Sequence, residues 1–76
     1  MMINYSVPYD TDVKISVVDV AGRVVAIPYK GEVDPGRYNL TWDYRDASGR
    51  KVSSGIYFIK LNADDFVETN KVVITR

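Results

Sequence analysis

Cysteine and histidine are both absent from this sequence. Without cysteine there is no disulfide scaffold, no thiolate metal site and no thiol nucleophile. Without histidine the commonest general base and transition-metal ligand are missing, which excludes catalytic triads, histidine zinc sites and two-histidine iron sites. Long apolar runs are missing too. Val24-Val25-Ala26-Ile27 is far short of the roughly 20 residues that span a bilayer as a helix, and Met1-Met2-Ile3-Asn4 lacks the form of a signal peptide. Net charge is also absent, since 10 Lys+Arg balance 10 Asp+Glu and no basic block stands out in either half. That removes the electrostatic case for nucleic acid or anionic lipid as a partner, and it leaves weak self-association as an expectation for a small neutral domain. Proline is scarce, with three residues, while 46% of the chain is hydrophobic. The chain is therefore too apolar and too regularly patterned for disorder.

What is present is alternation. At 76 residues the chain is one domain, residues 1–76, near the size at which a single core is only just sufficient. Ile3, Tyr5 and Val7 alternate with Asn4 and Ser6, predicting a first strand over Met2–Val7 that stops at Pro8 and lies at a sheet edge. Val13, Ile15 and Val17 are expected inward and Lys14, Ser16 and Val18 outward, predicting a second strand over Asp12–Asp19 whose β-branched content suits a pleated surface. A turn at Asp19-Val20-Ala21-Gly22-Arg23 leads into Val24–Tyr29, a third strand expected to end at Pro28. Gly31–Gly36 reads as a further turn, with Pro35-Gly36 suiting type II geometry.

The chain is organised around residues 37–61. Tyr38, Leu40 and Trp42 share one face of a strand, and Tyr57, Ile59 and Leu61 share one face of another. Between them, residues 43–55 replace the apolar period with small, charged and glycine residues, as in a long ordered loop. The pattern Asp-x-x-Gly-Arg-x-Val occurs from Asp19 to Val25 and recurs at Asp46-Ala47-Ser48-Gly49-Arg50-Lys51-Val52. Asp side chains are expected to cap both turns while Gly22 and Gly49 supply positive φ. Ala63-Asp64-Asp65 turns the chain into a last strand over Phe66–Arg76 of unassigned register. No segment carries a helical apolar stripe. Six to seven short strands at turn spacings of about 8 to 12 residues predict an all-β, antiparallel, immunoglobulin-like sandwich.

Few residues invite chemistry. Asp43, Asp46, Ser48 and Gly49 place oxygen donors in one loop, so Asp43 and Asp46 are the candidates for Ca²⁺. Arg45, Arg50 and Lys51 lie among them and no closing glutamate follows, so loop-internal hydrogen bonds account for the same residues better; no metal or other cofactor is expected. Tyr9, Tyr29, Tyr44 and Trp42 could form a sugar-stacking platform, but alternation turns Trp42 toward the core. The Asp64-Asp65 pair sits in a turn where adjacent side chains diverge, which argues against acid/base catalysis. The strand Lys71-Val72-Val73-Ile74-Thr75-Arg76 reads either as an edge strand with gatekeeper charges or as an exposed recognition strand.

Taken together, Ile3-x-Tyr5-x-Val7-Pro8, Val17-x-Asp19-x-x-Gly22-Arg23, Trp42-Asp43-x-x-Asp46-x-x-Gly49, Ser54-Gly55-Ile56-Tyr57-Phe58 and Lys71-Val72-Val73-Ile74 resemble a bacterial immunoglobulin-like module. It is the module of flagellar hook-capping proteins and of type IX secretion sorting domains at the C-terminus of exported enzymes. The resemblance implies a non-catalytic accessory module of a longer protein, secreted or held at the bacterial cell surface. It further implies that Gly55 and Tyr57, with Lys71, Val72, Val73, Ile74, Thr75 and Arg76, form a sorting signal read by outer-membrane secretion machinery or another protein. Trp42, Asp43, Asp46, Gly49 and Gly22 would then be structural. The Pro-Asn-Pro type segment that often opens a sorting domain is missing before Ile3. A structural assembly domain, as in hook-capping proteins, and a carbohydrate-binding module are the alternatives.

Overall fold

A computed structural model describes residues 1–75 as six strands in two antiparallel sheets, an immunoglobulin-like β-sandwich. In chain order these are β1 (Met2–Val7), β2 (Thr11–Asp19), β3 (Val24–Val33), β4 (Gly36–Thr41), β5 (Gly55–Asn62) and β6 (Val67–Ile74). The larger sheet runs β3-β2-β5-β6 and the smaller pairs β1 with β4. Alternation sets the inward face, but on β2 Ser16 and Val18, expected to point outward, are buried as well, because β2 is a central strand flanked by β3 and β5. Val13, Ile15 and Val17 are almost completely inaccessible, and Tyr57, Ile59 and Leu61 join them from β5. Ile3 and Val7 close the core from β1, with Trp42 and Val52 sealing it from the connecting loop.

The Trp42 arm follows the expected alternation, with Tyr38 and Leu40 half-buried and Trp42 buried. Although β4 ends at Thr41, pairing with the first strand continues for one more residue. The Trp42 amide donates to the Met1 carbonyl at 2.8 Å, and the Met1 amine donates to the Trp42 carbonyl at 2.8 Å.

The third strand departs from expectation, because β3 does not end at Pro28 but continues to Val33. Two features make this tolerable. The strand lies at a sheet edge, and its register with β2 slips between Ile15↔Tyr29 and Val17↔Ala26, so Ile27 and Pro28 together oppose Ser16. A bulge at an edge strand is where the missing proline amide removes no ladder bond. The expected Gly31–Gly36 turn consequently shrinks to a corner at Asp34-Pro35, since Gly31, Glu32 and Val33 pair with Val13, Asp12 and Thr11. Gly36 has φ +150° rather than type II turn geometry and already pairs with Val7. The last strand, unassigned from sequence, pairs with β5 in unbroken register from Gly55↔Ile74 to Asn62↔Val67.

Candidate functional site

The two Asp-Gly turns are the same device used twice. At the β2–β3 hairpin the Gly22 amide donates to the Asp19 carbonyl and the Asp19 amide to the Arg23 carbonyl, both at 3.0 Å. In the long loop the Gly49 amide donates to the Asp46 carbonyl at 3.0 Å and the Asp46 amide to the Arg50 carbonyl at 2.8 Å. This is a type I turn followed by a left-handed glycine, with φ +86° at Gly22 and +88° at Gly49. In each turn the aspartate carboxylate caps the loop amides. Asp19 Oδ1 accepts from the amides of Ala21 and Arg23, and its Oδ2 meets Arg23 Nε at 3.1 Å. Asp46 Oδ1 accepts from the Ser48 amide and hydroxyl and from the Arg50 amide. These bonds favour the ionised form, so both carboxyls lie below the usual aspartate range. The Arg23 amide is the main cause at Asp19, and the Ser48 hydroxyl at Asp46.

Around the second turn the loop is held at several points. Trp42 Nε1 donates to the Arg45 carbonyl at 3.0 Å, and Arg45 forms a bridge with Lys51. Tyr44 adopts φ +63°, an uncommon conformation for an aromatic residue. It is held there by the Val52 amide on its carbonyl at 2.8 Å, and its ring lies 5.5 Å from that of Trp42. The Ala47 amide donates to the Val25 carbonyl at 3.0 Å, laying the loop against the β3 edge. Between loop and edge lies an open groove of about 540 Å³, lined by Val24 to Pro28 on one side and by Trp42, Asp43, Arg45, Asp46, Ala47 and Gly49 on the other.

Asp43 and Asp46 share this loop but do not form a cation cage. Asp43 Oδ1 accepts from the Arg45 amide at 3.2 Å, its Oδ2 lies 3.8 Å from Arg45 Nε, and Asp46 is engaged as described. Among the described residues no group of three or more acidic side chains converges in the manner of a metal site. The aromatic platform is likewise dispersed. Trp42 is 4% exposed, Tyr44 stays with it, Tyr9 meets Phe66 edge-on at 6.5 Å, and Tyr29 lies near Tyr5, which stacks on Tyr38 at 5.3 Å. Burial, reinforced by the neighbouring Tyr29 and Tyr38, pushes the Tyr5 phenol above its ordinary pKa. Asp64 and Asp65 occupy the exposed β5–β6 turn, where the Asp64 amide donates to Thr11 Oγ1.

The residues that resemblance assigned to sorting fall into two groups. Gly55 opens β5 with φ +156°, and Tyr57 is buried with its hydroxyl donating to the Ser53 carbonyl at 2.8 Å. Ile74 is buried and Val72 half-buried, whereas Lys71, Val73 and Thr75 are exposed. Arg76 lies outside the described residues. No sequence signal marked the buried polar residues Thr11 and Ser16, whereas the last strand, read as either an edge or a recognition strand, does lie at a sheet edge.

Residues 3–66 match the model of the FlgD Ig-like domain, a structural, non-catalytic bacterial family connected with flagellar hook capping. The match ends before β6 begins. No curated protein and no solved structure matches the chain.

Proposed function

The chain belongs to the FlgD Ig-like domain family, and from that premise we propose that it is a non-catalytic structural assembly domain, as in flagellar hook-capping proteins. The observation that carries this reading is the family match itself, which spans both Asp-Gly turns and the Trp42 loop. The geometry supports it by what the conspicuous residues do. Asp19 and Asp46 cap turns, Trp42 and Tyr57 fill the core, and none of them presents a reactive group to a substrate. The domain acts by its surface, on another protein, outside the cytoplasmic membrane or on the cell surface. A protein partner is favoured over nucleic acid or anionic lipid because the chain carries no net charge to attract either.

Secretion sorting is the second reading, favoured by the exposure of Lys71, Val73 and Thr75 on the last strand. Tyr57 does not favour it, since a partner cannot read a side chain that is 8% exposed. One experiment separates the two. The source cell is fractionated into cytoplasm, envelope, filaments and medium, and each fraction is probed with an antibody against this domain. Assembly predicts that the domain is retained in the mature polypeptide and co-purifies with filament components. A large envelope-associated precursor whose external form lacks the domain would overturn assembly in favour of sorting.

A further inference from the structure

The larger sheet treats its two edges differently. At β3 the edge is obstructed by the Pro28 bulge and by the loop that bonds Ala47 to Val25. At β6 neither device is present: it contains no proline, pairs with β5 without a register break, and among the described residues has no strand on its outer side. Residues Val67 to Lys71 are all exposed, and Val67 and Val73 leave 58% and 61% of their surfaces open. A regular, open edge of this kind is a template for strand addition unless something covers it.

We propose that β6 pairs antiparallel with β6 of a second copy of this chain, across a two-fold axis at Asn70, joining two four-stranded sheets into one. The strand's own sequence selects the register. In an antiparallel pair of identical strands, the alternation of hydrogen-bonded and non-hydrogen-bonded pairs requires some residue to face its own copy. Placing that residue at Asn70 or Lys71 gives the longest overlap. Centring on Lys71 sets two ammonium groups directly opposite, which is destabilising. Centring on Asn70 pairs residues 67 through 73 with 73 through 67. Val67 then faces the partner's Val73, and Val73 the partner's Val67, so the two exposed valines cover one another twice. Thr69 faces Lys71 and Glu68 faces Val72, so no like charges are opposed. The zero net charge leaves no long-range repulsion to resist the association. This interface lies outside the residues matched by the family model and stands independently of the assembly reading.

The absence of cysteine makes the register directly testable. In the proposed pair the two Asn70 Cα atoms lie about 4.5 to 5.5 Å apart, within the range a disulfide bridges. Under a glutathione redox buffer, Asn70→Cys should form covalent dimer at least about tenfold faster than Ala21→Cys, whose cysteine sits in the exposed β2–β3 turn. Thr69→Cys and Lys71→Cys should each cross-link slowly alone and rapidly when mixed, because residue 69 faces residue 71 of the other copy. Sedimentation equilibrium of the unmodified chain up to millimolar concentration should show a dimer that Val73→Lys abolishes while circular dichroism stays unchanged. The proposal is overturned if Asn70→Cys cross-links no faster than Ala21→Cys, if the mixed pair has no advantage, or if the unmodified chain is monomeric throughout.

Discussion

Gly49→Ala isolates the energetic cost of backbone handedness in this fold. A Cβ built on Gly49 meets no atom within 4 Å, and the same holds at Gly22, so neither site is crowded. What a side chain meets instead is its own backbone. At φ +88° an L-residue occupies the left-handed region, at a cost of roughly 1 to 2 kcal/mol. A domain of 76 residues has a total stability of about 4 to 11 kcal/mol at the usual per-residue value, so this is a large fraction of the whole. With a urea slope near 1 kcal/mol/M for a chain this small, the unfolding midpoint should fall by about 1 to 2 M. The single tryptophan, buried at Trp42, gives the fluorescence signal that follows the transition. The decisive comparison is D-alanine at position 49, introduced by chemical synthesis. A D-residue at this φ is the mirror image of an L-residue in its favoured region, so it restricts the unfolded chain without straining the folded one. It should stabilise by about 0.4 to 1 kcal/mol, as compatible glycine replacements do. An unchanged midpoint in Gly49→Ala would refute the argument, because the L-Cβ site is open and handedness is then the only source of cost.

Three further outcomes are expected. Because hydrogen bonding lowers the Asp19 and Asp46 pKa values in the folded state, their stabilisation is present above the ordinary aspartate pKa and is lost as pH falls through the lowered values; Asp19→Asn and Asp46→Asn should flatten this acid-side decline in urea midpoints measured from pH 7 to pH 2. Tyr57→Phe removes one hydroxyl donor to the Ser53 carbonyl and should cost about 0.5 to 1.5 kcal/mol in urea unfolding, with no change in backbone circular dichroism. Ile15→Ala, at a fully buried position of the central β2 strand, should cost about 2 to 5 kcal/mol in the same assay and bring the domain near its unfolding threshold.

Sequence pattern exposed those parts of the fold in which one residue's environment is set by its immediate neighbours. The β2 alternation is legible because Val13, Ile15 and Val17 face a core covered along the whole strand. The repeated Asp-Gly turns are legible because their bonds run between residues no more than four apart. Pro28 misled because its tolerance depends on a strand pairing that the local sequence does not announce, namely the slip opposite Ser16. The register of β6 was hidden for a related reason. Its alternation is weak because Glu68 and Asn70 lie exposed on the same face as Val72 and Ile74, so few apolar positions mark the inside.

The same distinction explains why motif resemblance reached the fold but stopped short of the partner. Trp42-Asp43-x-x-Asp46-x-x-Gly49 places a core tryptophan beside a capped left-handed turn, and Ser54-Gly55-x-Tyr57 places a buried tyrosine whose hydroxyl returns to Ser53. Any domain with this architecture needs those groups, whether it assembles filaments or addresses a passenger for export. Recognition has to come from positions that the fold leaves free, because a side chain committed to the core or to a turn has nothing left to offer a partner. Along β6 those positions are Val67, Thr69, Lys71 and Val73, which alternate on one face of an open edge. Substitutions there should alter pairing through this edge at little cost to stability, whereas substitutions at Trp42 or Tyr57 should change stability first.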